Sequence, residues 1–309
     1  MTTLIFGHQS PDTDAITCAI TFAEYQRQNG NTDVEAVALG TPSAETQFAL
    51  DYFKQAAPRV IKTAANETDT VMLVDHNEAQ QSVPDRDQVT IEYVVDHHRV
   101  ANFETAAPLN MRLETLGSCN SVIYHMYKEA GFEISPQIAG LMASGLISDT
   151  LLLKSPTTTD EDRRIFAELQ KIAGVDLEEY GLQMLKAGTN LSARTDQDLI
   201  DGDAKSFDMN GTHVRIDQVN TVDLSEVYDR QAGIEDAMKA EADKEGYDLF
   251  LVIATDILNS DSVGFAVGDH SKVEAAFGKQ FDDQGRIALP GVVSRKKQVV
   301  PPLTAAYNG

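Results

Sequence analysis

The sequence has 309 residues, which is too many for one small core and suits two domains of ordinary size. Its 48 acidic residues outnumber 25 basic ones and give a net charge of −23, which disfavours general nucleic-acid binding. The sequence has neither an apolar run long enough to span a bilayer nor a signal-peptide pattern, so we expect a cytoplasmic protein without a membrane partner.

Four short apolar segments near the N-terminus end abruptly in glycine, acidic or histidine residues. Continuous apolar runs of this length predict strands that are covered on both faces. Helical segments lie between them, so the first half alternates β and α and predicts a doubly wound parallel sheet. In such sheets, ligands bind at the C-terminal ends of the strands. The segments are TLIFGH, VEAVALG, TVMLVDHNE and IEYVVDHH.

Residues 117–187 are rich in helical patterns and complete the first domain. The next residues are small, polar and unpatterned, which is typical of a linker. We therefore predict a catalytic domain over 1–187, a hinge linker over 188–195 and a substrate-binding domain over 196–309. The two cysteines, Cys18 and Cys119, lack CxxC spacing and are expected to be small buried residues.

The second domain is predicted to be smaller and of mixed α/β type. Asn210-Gly211 lies between two alternating runs and predicts a hairpin. A long helix is expected from Asp223 to about Gly246, followed by strands in YDLFLVIATDI, DSVGFAVGD and GVV. The fold class is therefore α/β with two domains, and we expect the active site in the cleft between them.

The segment GHQSPDTD supplies three candidate metal ligands, His8, Asp12 and Asp14, at the end of the first predicted strand. A helix N-cap followed by an acidic first turn explains the two aspartates equally well when the segment is taken alone. The functional interpretation gains support only when the other strand ends are considered with it.

Further candidate ligands follow other predicted elements. LVDHNE supplies Asp75, and ISDTLLL supplies Asp149 after an apolar helical stretch. VVDHHRV places Asp96, His97 and His98 directly after a buried strand, where unpaired charge is costly. One histidine can bind a metal while its neighbour faces the substrate, and Asp96 is expected to fix an imidazole tautomer.

These residues are too many for one metal ion and suffice for two ions that share a bridging carboxylate. Carboxylate and imidazole ligands without thiolate favour Mn²⁺, Co²⁺ or Mg²⁺, and they leave Zn²⁺ open. Two divalent ions among four aspartates are nearly neutral, so a highly anionic substrate needs further cations. The set is His8, Asp12, Asp14, Asp75, His97 and Asp149.

The densest basic cluster of the chain is SRKKQ, with Arg295, Lys296 and Lys297. A solvated basic run is the alternative to a functional role. In an acidic chain with two domains we favour a phosphate clamp in which Arg binds in a bidentate manner and Lys acts as a point charge. Lys205 is a weaker candidate for the same clamp.

The motifs GHQSPDTD, LVDHNE, VVDHHR, SDTLLLKSPTTT and SRKKQ, in this order, resemble those of the family II inorganic pyrophosphatases in the DHH phosphoesterase superfamily. The resemblance implies a manganese- or cobalt-dependent hydrolase that converts pyrophosphate to two phosphates. It also implies a homodimer formed through the N-terminal domain. The chain is similar to the short members of the family, so control by adenine nucleotides is not expected.

The resemblance also implies the role of each site residue. His8, Asp12 and Asp75 would bind one Mn²⁺, whereas Asp14, Asp75, His97 and Asp149 would bind the other. A metal-bridged hydroxide would attack one phosphorus, and Mg²⁺ would arrive with the substrate. His98 would act near the bridging oxygen. The phosphates would be bound by His98, Lys205, Arg295 and Lys296.

Two other functions remain open from the sequence. A DHH-type phosphodiesterase or exonuclease would act on small nucleotides or oligonucleotides, but the chain lacks the glycine-rich, histidine-containing C-terminal motif of such enzymes. The net charge of −23 also argues against it. A metal- and phosphate-sensing protein without turnover is the third hypothesis, and tight pyrophosphate binding without phosphate release would support it.

Overall fold

The computed structural model describes residues 2–189 and 191–308. The chain divides into two compact units, Met1–Gly188 and Thr189–Gly309. Among the described residues, no helix is both long enough and apolar enough to cross a membrane.

The first unit is built on a sheet of five parallel strands. They are β1 (Thr3–Phe6), β2 (Val34–Ala36), β3 (Thr70–Val74), β4 (Thr90–Asp96) and β5 (Asn110–Leu113). Their order is β2-β1-β3-β4-β5. β1, β2 and β3 lie within segments predicted to be strands, and β4 begins one residue before its predicted segment. β5 was missed because it is a short edge strand, and three of its four residues are exposed.

The described residues of this unit also form six helices. They are α1 (Thr13–Gln28), α2 (Ala44–Tyr52), α3 (Cys119–Ala130), α4 (Pro136–Thr150), α5 (Asp160–Ala173) and α6 (Leu177–Thr189). Hydroxyl or carboxylate side chains cap the N-termini of α1 to α5, as in Asp12, whose oxygen accepts a hydrogen bond from Ala15 N. Cys18 in α1 and Cys119 in α3 are buried and free, as predicted.

The strand order creates the place where a site can form. β1 lies between β2 and β3, so the chain runs to opposite sides of β1. Ligand crevices of open parallel sheets lie outside the C-terminal strand ends at such a switch point. Two glycines allow close packing there. A Cβ on Gly7 would lie 2.6 Å from Ala15 Cβ, and one on Gly145 would collide with Asp14 and Asn120.

The second unit contains a mixed sheet of five strands. They are β6 (Lys205–Met209), β7 (Thr212–Thr221), β8 (Leu249–Asp256), β9 (Asp261–Gly268) and β10 (Arg286–Pro290). Their order is β10-β9-β8-β7-β6, with β7 and β8 parallel and the other pairs antiparallel. The hairpin at Asn210-Gly211 is confirmed, and both residues have the positive φ that a tight hairpin turn needs.

Helices cover both faces of this sheet. They are α7 (Asp196–Asp201), α8 (Leu224–Tyr228), α9 (Gln231–Glu245), α10 (His270–Phe277) and α11 (Val300–Asn308). β8 is buried along its whole length because alternate residues contribute to two apolar clusters, one on each face. The predicted mixed α/β class is therefore confirmed for this unit.

Two local predictions in the second unit are wrong. The helix expected from Asp223 to Gly246 is divided into α8 and α9, and Arg230 is the N-cap residue of α9. Its guanidinium donates hydrogen bonds to Asp196 and to the Leu191 carbonyl. The segment GVV, residues 291–293, does not form the expected strand. β10 ends at Pro290, and the chain turns at Gly291, which has φ 71°. In both places a tertiary contact or a turn overrides the apolar pattern.

The predicted linker 188–195 is not devoid of regular structure. α6 continues to Thr189, and Leu191–Ala193 form a 3₁₀ turn, while Asn190 lies outside the described residues. The hinge function of this segment stays a prediction. The basic cluster after Ser294 forms a π-helical turn over Arg295–Val299 that leads into α11.

Candidate metal centre

The six predicted metal ligands come from four places in the first unit. His8 follows β1, and Asp12 and Asp14 lie at the start of α1. Asp75 directly follows β3. The remaining two are His97, directly after β4, and Asp149, in the last turn of α4. The three strands involved are adjacent in the sheet, so their C-terminal ends deliver these side chains to one edge.

The structure brings these side chains into two groups that share Asp75. One group contains His8, Asp12 and Asp75, and its ligand atoms lie within 4.8 Å of one another. The second group satisfies the same limit. Its members are Asp14, Asp75, His97 and Asp149.

The two oxygens of Asp75 face different groups. Oδ2 lies 3.5 Å from His8 Nε2, whereas Oδ1 lies 3.2 Å from His97 Nε2. The backbone of Asp75 has φ 58°, a left-handed conformation that costs energy for a residue with a Cβ. This strained turn directs the carboxylate between the two groups, which is the arrangement that a bridging ligand requires.

Asp14 is fixed by donors from the N-terminus of α3. Its Oδ2 accepts a hydrogen bond from Cys119 N at 2.7 Å. Its Oδ1 accepts from Ser118 Oγ at 2.8 Å and from Asn120 Nδ2 at 2.7 Å. All four residues are buried, so the positive end of a helix and two polar side chains orient this carboxylate.

The adjacent histidines are held by different partners. His97 Nδ1 lies 3.0 Å from the Leu116 carbonyl, which leaves Nε2 directed toward Asp75 and Asp149. The tautomer with the proton on Nδ1 fits this contact. His98 Nδ1 lies 2.9 Å from Asp96 Oδ1, so the predicted carboxylate contact of Asp96 is made with His98.

Burial and mutual repulsion strongly shift the pKa values of this cluster. Burial, and next the charges of Asp14 and Asp12, raise the pKa of Asp75 well above its usual value. Burial and the charge of Asp14 do the same to the pKa of Asp149. Burial alone would lower the pKa of His8, but Asp12 and Asp75 raise it to about 9. The cluster therefore needs additional positive charge when its carboxylates are ionised.

Two atoms that face the shared space form no hydrogen bond in the described part of the chain, although they lie 3.2 Å from each other. Asp75 Oδ1 and His97 Nε2 are buried and accept or donate no hydrogen bond within the described residues. Buried polar atoms without partners are costly, and oxygen and imidazole nitrogen ligands suit Mn²⁺, Co²⁺ or Mg²⁺. The residues therefore fit divalent cations in both groups.

The basic residues predicted to bind phosphate lie in the second unit. Arg295 Nη2 donates to Asp203 Oδ1 at 3.0 Å, whereas the buried Nη1 has no partner within the described residues. Lys205 begins β6, two residues after Asp203. Lys205, Lys296 and Lys297 are exposed.

Asp217 on β7 is a buried neighbour of this arginine that the sequence analysis missed. Its Oδ1 accepts a hydrogen bond from Asp203 N at 3.0 Å, and its buried Oδ2 has no partner among the described residues. Burial raises the pKa of Asp217 to about 6, although Asp203 N and the charge of Arg295 act in the opposite direction. Its carboxylate therefore supports the backbone that presents Asp203 to Arg295.

The sequence analysis also missed the residues that orient the candidate ligands. It described residues 117–187 as rich in helical patterns but assigned no role to Ser118 or Asn120. The serine at a helix start was a usable signal for capping, yet nothing in its spacing indicated that it would bond Asp14. The Leu116 carbonyl carries no side-chain signal at all.

Comparisons with known proteins agree with this arrangement. Residues 2–146 match the model of the DHH family, N-terminal domain, and residues 182–306 match that of the DHHA2 domain. The chain is 58% identical to a protein of Lactiplantibacillus plantarum named "Probable manganese-dependent inorganic pyrophosphatase", over 99% of this chain and 98% of the relative. A protein of Enterococcus faecalis with the same name is also 58% identical, over 99% of both chains.

A solved structure is similar along the whole chain. It comes from Methanococcus jannaschii and is named "putative family II inorganic pyrophosphatase". It is 37% identical, the match covers 100% of both chains, and the TM-score is 0.62.

The electrostatics of Asp75 lead to a first prediction, for the variant Asp75→Asn. Asparagine tolerates the left-handed backbone and removes one charge from the crowded cluster. The metal-free variant should therefore melt at a higher temperature than the metal-free parent at pH 7. Mn²⁺ at 100 times its Kd should stabilise the parent by about 2.7 kcal/mol, and the variant by much less.

Differential scanning calorimetry of metal-stripped protein, with and without Mn²⁺, measures both effects. Asp87→Asn, at an exposed aspartate in the same unit, serves as the matched control and should respond to Mn²⁺ like the parent. An equal Mn²⁺-induced rise in Asp75→Asn and in the parent would exclude Asp75 as a shared ligand.

Proposed function

The chain belongs to the family of manganese-dependent inorganic pyrophosphatases, and we propose that its reaction is the hydrolysis of inorganic pyrophosphate to two phosphates. The observation that carries this proposal is the position of Asp75, whose two oxygens face two separate groups of candidate ligands. Two ions that share one carboxylate would suit the attack of water on one phosphorus and the departure of the other phosphate.

We propose Mn²⁺ as the ion bound by both groups, with Co²⁺ as an alternative occupant and Mg²⁺ accompanying the substrate. His8, Asp12 and Asp75 would hold one ion. The other would be held by Asp14, Asp75, His97 and Asp149. When bound, the two ions supply a water of lowered pKa and positive charge for the phosphoryl oxygens.

The protein's own groups set the orientation of the reacting partners. The α3 N-terminus holds Asp14, and the Leu116 carbonyl turns His97 Nε2 toward the shared carboxylate. The contact with Asp96 raises the pKa of His98, whose side chain is about half exposed. We propose that His98 donates a hydrogen bond or a proton through Nε2 to the oxygen that leaves, since Nδ1 is engaged by Asp96.

We propose that Lys205, Arg295 and Lys296 bind the phosphoryl oxygens. The planar guanidinium of Arg295 suits a bidentate contact with phosphate, and its Nη2 already bonds one oxygen of the exposed Asp203. The exposed lysines add positive charge without fixed geometry. Positive charge is needed because pyrophosphate carries several negative charges in a chain of net charge −23.

We further propose that the protein forms a homodimer through the first unit. β5 lies at the edge of the sheet and pairs only with β4 among the described strands. Its side chains include Met111 and Leu113, which are 39% and 37% exposed. An open strand edge with exposed apolar side chains is a ready template for pairing with a second copy.

The reaction itself is tested by phosphate release. Metal-stripped protein reloaded with Mn²⁺ and assayed with Mg²⁺ should hydrolyse pyrophosphate, and Zn²⁺-loaded protein provides the comparison. Asp75→Asn should lower kcat by about 100-fold or more because it weakens both groups of ligands. Asp87→Asn should retain the parent rate.

The same assay distinguishes the two other hypotheses. Shortening of oligonucleotides without phosphate release from pyrophosphate would replace the proposal by a phosphodiesterase. Tight binding of pyrophosphate without any hydrolysis would replace it by a sensor.

The role of Arg295 is tested by Arg295→Lys, which keeps the charge and removes the planar fork. The variant should raise KM for pyrophosphate by about tenfold or more, because it loses a charge-assisted hydrogen bond. Steady-state kinetics measure KM and kcat separately. Arg286→Lys, in the same unit, replaces an arginine that packs over the Tyr228 ring and should leave KM unchanged. An unchanged KM in Arg295→Lys would remove Arg295 from the substrate contacts.

The dimer is tested by sedimentation velocity of the parent and of Met111→Lys. Charged lysine side chains on an edge strand oppose pairing, so the variant should sediment as a monomer at concentrations where the parent is a dimer. Leu182→Lys on α6 is the matched control because Leu182 is also 39% exposed. Dimers of equal stability in all three proteins would rule out the β5 edge as the interface.

A further inference from the structure

One carboxylate outside the two ligand groups joins the segments that carry three of the candidate ligands. Glu45 lies in the first turn of α2. Its Oε1 accepts a hydrogen bond from Thr13 Oγ1 at 2.7 Å and another from Ser148 Oγ at 2.6 Å. Thr13 stands between Asp12 and Asp14 in the chain, and Ser148 directly precedes Asp149. A single oxygen atom therefore connects the start of α1 with the end of α4.

The surroundings of Glu45 keep this connection rigid. Thr13 and Thr46 are fully buried, and their hydroxyl oxygens are 3.1 Å apart. Ser43 caps α2 and also contacts Thr46 Oγ1 at 3.0 Å. On the other side, a Cβ on Gly188 would lie 2.8 Å from Glu45 Oε2, so α6 packs directly on the carboxylate. The Glu45 side chain thus has little freedom to adopt another position.

The two hydroxyl contacts lie at the N-terminal end of α1 and the C-terminal end of α4. α1 and α4 pack closely at Gly145, next to Asp14. Near Thr13 and Ser148 the chain must hold carboxylates of like charge near one another, and repulsion favours their separation. An acceptor that bonds both segments opposes that separation.

We propose that Glu45 is a positioning residue that sets the spacing of Asp12 and Asp14 relative to Asp149 by bonding the hydroxyls of Thr13 and Ser148. It contacts neither metal nor substrate in this role. The inference rests on the proposed ligand assignment and deepens it, because it names a residue that pre-organises the ligands for divalent cations. Outer residues that orient metal ligands commonly affect metal affinity without binding the metal.

The test measures the affinity of metal-stripped protein for Mn²⁺. The measurement uses isothermal titration calorimetry or the electron paramagnetic resonance signal of free Mn²⁺. Glu45→Ala should weaken Mn²⁺ binding by about 10- to 100-fold, the range found when supporting residues of metal sites are removed. Glu45→Gln should bind Mn²⁺ nearly as tightly as the parent, because its amide oxygen can accept both hydroxyl bonds. Asp51→Ala removes an exposed carboxylate from the same helix and should have no effect.

Two further variants separate positioning from general stability. Ser148→Ala removes one of the two contacts and should weaken Mn²⁺ binding less than Glu45→Ala does. The double variant Glu45→Ala/Ser148→Ala should bind Mn²⁺ no more weakly than Glu45→Ala, since residues that act through one contact are not additive. If Glu45→Ala does not fold, the other two single variants still test the proposal. Ser148→Ala should bind Mn²⁺ more weakly than the parent, and Glu45→Gln should bind it nearly as tightly.

Three results would overturn the proposal. These are parent-like Mn²⁺ affinity in Glu45→Ala, an equal loss in Glu45→Gln and Glu45→Ala, or additive losses in the double variant. Because the measurement does not depend on turnover, it is independent of the proposed reaction. A parent protein that binds Mn²⁺ but releases no phosphate would refute the reaction and leave the role of Glu45 standing.

Discussion

The structure of the first unit depends on one electrostatic constraint, the concentration of buried carboxylates at one edge of its sheet. Asp14 and Asp75 are buried, and Asp149 lies close enough to share a cation with them. Coulomb repulsion between such groups is several times stronger in a partly buried site than in water. The fold must therefore oppose the separation of these groups and must supply positive charge from another source.

Backbone dipoles provide part of this positive charge. The N-terminus of α1 is capped by Asp12, and the N-terminus of α3 directs Cys119 N at Asp14. Each helix start carries a partial positive charge of about half an elementary charge. These partial charges fix the directions of the carboxylates but do not neutralise them, since the pKa values of Asp75 and Asp149 remain raised. The remaining charge deficit favours the binding of cations at this edge of the sheet.

The sequence indicated that the candidate ligands would lie near one another, and the structure places them in two groups whose ligand atoms are within 4.8 Å of one another. Asp75 and His97 come directly after continuous apolar runs, and such runs define buried strands whose ends meet at one edge. Residues that act through a backbone carbonyl or across three helices have no comparable pattern. Leu116 contributes only its carbonyl, and the partners of Glu45 are 32 and 103 positions away. Long-range contacts of this kind arise from helix packing, which apolar periodicity does not encode.

In the second unit the partly buried charge is positive, because it is carried by the guanidinium of Arg295. In the proposed role Arg295 must be available to an anion, yet a largely buried guanidinium needs hydrogen-bond acceptors. Asp203 satisfies Nη2, and Asp217 supports the backbone of Asp203, while Nη1 keeps no partner among the described residues. Asp203 is more than half exposed, so it holds the arginine through a contact that water weakens. An incoming phosphoryl group can therefore compete for Arg295, because it offers two oxygens where Asp203 bonds through one. A fully buried carboxylate in the position of Asp203 would orient the arginine better but would also oppose its binding to substrate.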